Sequence, residues 1–383
     1  MMEYRKIGKT TLNASVIGLG SEHLDGKPYE VVEEVIHTAL DGGVTLMDLF
    51  MPGDEVRRNI GKALGRRRKE MMIQGHIGSC DVKKQYEVSR NLDVCKRYVE
   101  KLMFNLDTDY IDFGMLFFVD DEEALQNMEK NGIIDYALDL KRQGVLRAIG
   151  ASSHNPFSAG KLVDTGILDI LLFSVNPVFD MTPHDIGVLD QFDDNFSGYN
   201  TVQFDPIRMD FYKKCAQQGV SISVMKTLAA GKLLDAAQSP FAEPMSVGQC
   251  IHYALSRPAV ASVLIGAANR AQMEEALRYL TLTDTEKDYT PIIQHVRSSF
   301  QERCVYCNHC QPCPVNIDVA AVHRCLDIAR LNPSNIPQKV QADYEALAAH
   351  GGDCITCGNC EKKCPFSVPV STNMIHAGEL FGK

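Results

Sequence analysis

The sequence predicts an α/β protein: a (β/α)8 barrel of TIM type over residues 1–295, followed by a small, mostly helical module over 296–383. Three observations predict it. Eight short β-rich runs alternate with longer amphipathic stretches, the pattern of repeated βα units around a buried parallel sheet. Eight units in about 295 residues suit a closed barrel better than an open doubly wound sheet. Finally, eight of the 13 cysteines crowd into two tight runs near the end of the sequence.

The β-rich runs are residues 16–20, 45–48, 72–75, 111–116, 148–152, 170–174, 221–224 and 261–266. Stretches such as 30–41 and 93–106 carry helical patterns between them. In such a barrel the reacting groups sit where the strands end. The residues to inspect are therefore Glu22, His23, Asp48, His76, Phe117, Ser152 to His154, Asn176, Met225 and Lys226. A helix expected over 284–300 joins the barrel to the second module. Residues 317–331 and 340–350 read as two further helices, separated by the turn-rich Asn332-Pro333-Ser334-Asn335.

The first cysteine run places Cys304, Cys307 and Cys310 three residues apart, with Cys313 just before Pro314. The second repeats it with Cys354, Cys357, Cys360 and, before Pro365, Cys364. This is the ligand spacing of a [4Fe–4S] cluster, and in two-cluster ferredoxins the fourth cysteine of each run ligates the other cluster. On that pattern Cys304, Cys307, Cys310 and Cys364 hold one cluster, and Cys354, Cys357, Cys360 and Cys313 the other. Zinc asks for separated Cys-x-x-Cys pairs, or for cysteine with histidine, and has no need of this arrangement twice. Disulfides imply an oxidising compartment, whereas no apolar signal segment opens the sequence. The 317–350 insert points to a helical, ferredoxin-like version of the module. Cys80, Cys95, Cys215, Cys250 and Cys325 lie outside the spacing and read as buried spectators.

A formal net charge of −10 argues against a nucleic-acid partner. The run Arg66-Arg67-Arg68, followed by Lys69-Glu70, reads as a solvated helix end or loop. No apolar run is long enough to span a bilayer. The expected setting is a reducing cytoplasm, in an anaerobe if the clusters are exposed, with no membrane or nucleic-acid partner.

Several strings add a resemblance: Val16-Ile17-Gly18-Leu19-Gly20, the segment from Gly42 to Asp48, Ile60-Gly61-Lys62-Ala63-Leu64, the segment from Leu106 to Asp112, Gly144 to Gly150, and Gly266-Ala267-Ala268-Asn269-Arg270. Their order and spacing resemble the aldo/keto reductase superfamily, in its bacterial branch with a C-terminal iron–sulfur domain. The resemblance implies a barrel that binds a nicotinamide cofactor, NADP(H) or NAD(H), across its mouth. It also implies a tyrosine acid, a lysine, an aspartate and a histidine. Asp48 matches the aspartate, but the tyrosine position falls at Gly53, the lysine position at His76 and the histidine position at Phe117. For the cofactor the resemblance implies Ser152 and Ser153 at the carboxamide, with Asn176 and with Leu172 in place of glutamine. It puts Met225 and Lys226 near the nicotinamide, and Gly266, Asn269, Arg270, Gln272 and Glu275 around the phosphates and adenosine.

With that acid missing, His76 and Asp48 on neighbouring strands are the first candidates for a substitute acid–base pair, joined by Glu22 and His23 after the first strand. A metal held by His23, His76 and Asp48 is a further arrangement to look for. The leading expectation is an NAD(P)-dependent oxidoreductase acting on a small carbonyl or hydroxyl compound. The alternatives are cluster-driven electron transfer or reductive chemistry on a barrel-bound substrate, and a non-catalytic binding or scaffold module. Clusters pass single electrons and a nicotinamide passes a hydride, so joining them calls for a flavin, a redox protein partner or a radical-tolerant substrate.

Overall fold

The computed structural model describes residues 1–81, 86–182, 205–241, 243–293, 302 and 304–383. They form two compact units. The first comprises Met1–Val175, Val220–Thr227 and Ala261–Thr281; the second comprises Asn176–Gly219, Leu228–Val260 and Leu282–Lys383.

The chain opens with β1 (Tyr4–Lys6) and β2 (Asn13–Ser15), paired as an antiparallel hairpin. Next come β3 (Ile17–Gly20), β4 (Leu46–Leu49), β5 (Met72–Ile77) and a second small hairpin, β6 (Ser79–Cys80) with β7 (Glu87–Val88). The remaining strands are β8 (Ile111–Leu116), β9 (Leu146–Ser153), β10 (Ile170–Ser174), β11 (Ser221–Met225) and β12 (Val260–Gly266). Strands β3, β4, β5, β8, β9, β10, β11 and β12 close in that order into a barrel. They coincide with the eight β-rich runs, shifted by two residues at most. The two hairpins are additions that the alternation of runs does not reveal.

Sheets covered on both faces read as continuous apolar runs, and every residue of β5 and β8 is buried. Leu46, Met72, Phe113, Met115, Ile170 and Leu264 form one core with Ile7, Leu12 and Ala14 of the first hairpin. Gln74 crosses the interior to donate to Ser223 Oγ at 2.9 Å. Gly8 shows where the hairpin sits. Its N–H donates to Ser221 Oγ at 2.8 Å, its φ is +49°, and a Cβ there would lie 2.2 Å from the Asp169 carbonyl oxygen. Ser221 begins β11 and Asp169 precedes β10, so the hairpin plugs the floor and leaves the opposite end as the mouth.

Asparagine and aspartate cap the intervening helices: Asn91 before Leu92–Leu106, Asp121 before Glu122–Lys130, and Asn155, with Pro156 following, before Pro156–Asp164. The arginine run departs from expectation. Arg68 is buried and shares Asp112 with Arg147, at 3.2 and 2.8 Å, while Arg67 pairs with Asp41 and Glu70 at the surface.

The second unit includes Pro206–Gln217 and Val247–Ser256 as well as Val319–Ala329, Gln338–Glu345 and Val370–Phe381. Buried Asp180 accepts bonds from Arg208 and Tyr253 at 3.2 and 2.7 Å. Tyr344 stacks on Phe381 with ring centres 4.1 Å apart. The helix expected over 284–300 is a single turn, Asp284–Lys287, capped by Thr283 and Glu286. Asp288 turns to extended backbone and ends it, and Pro291 keeps the helix from resuming at Thr290, because proline disfavours helical backbone in the residue before it; residues 294–300 lie outside the described residues. The insert helices are shorter than their patterns, and all five spectator cysteines are buried. Among the described residues no helix is long and apolar enough to cross a membrane.

Candidate active site

Asp48 and Gln74 are register partners on β4 and β5, and His76 lies two residues further along the same face. That spacing brings His76 Nε2 to 2.7 Å from Asp48 Oδ1, with the two side chains 0% and 7% exposed. Asp48 is itself anchored: its carbonyl oxygen accepts from the Ser21 amide at 3.1 Å and from Ser21 Oγ at 2.7 Å. The imidazole is flanked edge-on by Phe117 at 5.2 Å and by Phe50 at 6.1 Å. Its Nδ1 is buried and has no hydrogen-bond partner among the described residues. An ionised carboxylate only accepts, so Nε2 carries the proton shared with Asp48. Nδ1 remains as the atom able to take or give one.

Three further groups at this mouth come from loops. Tyr86 packs edge-on to Phe50 and Phe117, at 5.3 and 5.8 Å. Burial raises its phenol above the ordinary tyrosine value, and Glu22 and Asp120 raise it further. Asp120 accepts from the His154 ring at 2.8 Å, the His154 amide at 2.6 Å and Ser153 Oγ at 3.1 Å. Burial pushes Asp120 up, but these bonds outweigh it and hold the carboxyl below its usual value. Lys226 has φ +60°. Burial pulls its ammonium below the ordinary lysine value, against the opposing fields of Glu22, Asp120 and Asp48.

Glu22 and His23 lie exposed in a turn, Glu22–Leu24, after β3. Glu22 acts on Lys226 and Tyr86 through its charge. The His23 ring instead lies against Gly266, where a Cβ would come within 2.6 Å of it. Among the described residues no three His, Cys, Asp or Glu side chains converge on an ion, so the arrangement of His23, His76 and Asp48 around a metal does not form. Tyr86 and Asp120 were outside the sequence reading. For Asp120 the available signal is that it is the first carboxylate after Phe117 and Phe118, which follow β8; nothing local marks Tyr86.

The cofactor positions divide. Gly266 is exposed and leads into the helix Arg270–Arg278, which Asn269 caps through the Gln272 amide at 3.0 Å. Gln272 accepts from the Ala268 amide at 2.8 Å, Arg270 pairs with Glu274 at 2.6 Å, and Glu275 pairs with Arg278 at 2.9 Å. An open glycine, a helix N-terminus and an exposed arginine fit a phosphate. On the other side, Ser152 Oγ accepts from the Phe118 amide at 2.8 Å and Ser153 is committed to Asp120. Leu172 belongs to the barrel core, with Met225 packed against it. Asn176 falls in the second unit and caps Pro177–Asp180.

The two cysteine runs, both in the second unit, repeat one another in backbone as well as in spelling. Tyr306 and Asn308 flank Cys307 at φ +57° and +62°; Thr356 and Gly358 flank Cys357 at +52° and +70°. The Tyr306 amide donates to Cys304 Sγ at 3.4 Å, and the Thr356 amide to Cys354 Sγ at 3.4 Å. Three residues beyond each fourth cysteine the backbone turns left-handed again, at Asn316 and Ser367. Cys313, Cys354, Cys357 and Cys360 line one recess. Cys304 and Cys310 each interact electrostatically with Cys307, Cys364 acts on both Cys307 and Cys310, and Cys360 of the second run acts on Cys310 as well. Among the described residues no three of these sulfurs converge on one ion, yet loop shape and N–H···S bonds fit a thiolate-bound cluster.

A closed parallel barrel with titratable groups gathered at its strand ends defines a barrel enzyme. The chain belongs to the aldo/keto reductase family, whose sequence model matches residues 16–297, and it is an oxidoreductase. It is 25% identical over 291 residues to the uncharacterized oxidoreductase YqkF of Bacillus subtilis (strain 168), across 72% of this chain and 90% of that one. In fold it is similar to the holo form of the aldo-keto reductase AKR11C1 from Bacillus halodurans. The TM-score is 0.58 at 19% identity, over 75% of this chain and 94% of the other.

Proposed function

We propose that the chain is an iron–sulfur oxidoreductase that acts on a small carbonyl or hydroxyl compound at the barrel mouth. In this reading 1–295 is the catalytic barrel and 296–383 a two-cluster module. The buried contact between Asp48 and His76 carries the reading. His76 Nδ1 holds the proton that the missing tyrosine would deliver, and Asp48 stabilises the imidazolium across 2.7 Å. Phe50, Phe117 and Tyr86 wall the imidazole from water, which strengthens that stabilisation. Gly266, Asn269 and Arg270 would hold the phosphates of NADP(H) or NAD(H), which when bound supplies a hydride.

One observation favours a second reading, in which the clusters supply single electrons to a barrel-bound substrate or to a redox protein partner. Ser153 and Asn176 are already bonded within the protein, whereas the cysteine runs carry the spacing of cluster ligands. The [4Fe–4S] clusters, when bound, supply one-electron chemistry. Anaerobic titration of the iron-replete protein with NADPH, followed by visible absorption and cofactor fluorescence, separates the two. Binding with clusters left oxidised supports hydride chemistry in the barrel, and binding with bleaching supports electron transfer. Failure to bind either NADPH or NADH removes the nicotinamide from the proposal.

A further inference from the structure

Arg257, at the end of the helix Val247–Ser256, is 1% exposed. Its Nη2 donates to the Val305 carbonyl oxygen at 2.9 Å, between Cys304 and Cys307, and to Tyr289 Oη at 2.8 Å. Tyr289 donates to the same carbonyl at 3.1 Å, so two buried side chains converge on the first cysteine loop. Tyr306, of that loop, lies 5.9 Å from the guanidinium carbon, and Tyr253 lies 4.1 Å from it. No carboxylate pairs with Arg257 among the described residues. Asp180, which acts on it at longer range, is itself paired with Arg208. A buried cation without a counter-ion is strongly unfavourable. Four thiolates around a [4Fe–4S] core leave a net anion, which would supply that counter-ion.

We propose that Arg257 is the built-in counter-charge of the cluster held by Cys304, Cys307, Cys310 and Cys364, and that it sets this cluster's reduction potential above the value it would otherwise have. The inference rests on the cluster reading given above. Reduction adds one electron from a one-electron donor to the core and breaks no bond. The added negative charge is stabilised by the fixed guanidinium, because net charge and hydrogen bonding around a cluster tune its potential. Val305 couples the two directly, since the loop that carries the ligands hangs on the arginine.

The test is an anaerobic dithionite titration of the full-length, iron-replete protein, with both clusters followed by electron paramagnetic resonance. Arg257→Gln is expected to shift the oxidised-to-reduced ratio of one cluster at least tenfold toward oxidised at a fixed potential, about 59 mV for one electron. The other cluster stays where it was. Arg257→Lys, which keeps the charge, shifts less. If Arg257→Gln does not fold, Met209 offers a second route, since its sulfur lies 3.9 Å from Arg257 Nη1. Met209→Glu places a carboxylate on the guanidinium and is expected to lower the same potential, while Met209→Gln leaves it unchanged. Iron and sulfide analysis comes first: a protein that takes up no cluster overturns both the cluster reading and this inference. A protein with both clusters whose potentials ignore Arg257→Gln, or ignore Met209→Glu, overturns the role of Arg257 alone.

Discussion

Asp48 Oδ1 and His76 Nε2 lie 2.7 Å apart on adjacent barrel strands, and the far nitrogen of the imidazole is buried with no partner among the described residues. The pair is therefore oriented rather than merely adjacent. His76→Ala is expected to lower kcat by roughly 10²–10⁴-fold, the usual contribution of a positioned acid or base, with Asp48→Asn changing it in the same direction. Steady-state NADPH oxidation over a panel of small aldehydes and ketones measures this. Unchanged turnover in a folded His76→Ala protein would remove the histidine from the chemistry.

The cysteine grouping makes a crossed prediction. Cys364→Ser is expected to damage the cluster of Cys304, Cys307 and Cys310, and Cys313→Ser the cluster of Cys354, Cys357 and Cys360. Magnetic spectra of the two variants should be complementary. Damage confined to each variant's own run would contradict the crossing.

Asp120 is held below its ordinary value of 3.8 by His154 and Ser153 despite burial. A carboxyl depressed in the folded state contributes stability above its unfolded value, and loses it as the pH falls through the folded value. Asp120→Asn should therefore cost about 1–3 kcal/mol at pH 6, with the gap to the wild type closing below about pH 4. Urea unfolding at pH 6, 4 and 3 reads the difference.

Arg270 is exposed and its pairing with Glu274 is worth little in water, so it is available to a 2′-phosphate. Arg270→Ala is expected to weaken NADPH by roughly tenfold and to leave NADH nearly untouched. Fluorescence titration with each nucleotide decides it.

Phe113 is fully buried in the barrel core. Phe113→Ala should lower unfolding stability by about 3–5 kcal/mol. A loss under about 1 kcal/mol would mean that the core collapses around the gap.

The barrel was legible because its strands are buried on both faces, so each reads as an apolar run wherever it falls. Asp48 and His76 were legible for a related reason: strand ends in this topology are where reacting groups gather. Tyr86 and Asp120 were not, because they reach the mouth from loops whose path depends on tertiary packing. The periodicity of 206–217 and 247–256 shows an apolar face without saying what covers it, and these helices group with the C-terminal residues. Pro291, which bars the helix from resuming, was an overlooked signal in the over-long helix. Cysteine spacing carries the proposed ligand sets from local sequence alone. It could not disclose that Arg257, 47 residues before Cys304, would reach the same loop.

The hairpin plug has a kinetic consequence. Gly8 bonds to Ser221 across 213 residues of sequence, so the floor of the barrel cannot be finished until most of the chain has been made. During synthesis Ile7, Leu12 and Ala14 leave the ribosome with no surface to cover them. Long-range contacts of this kind slow folding, since loop closure must precede the contacts that reward it. Docking of the hairpin therefore waits on β11, while closure of the barrel waits on β12, which lies further along the chain and pairs with β3.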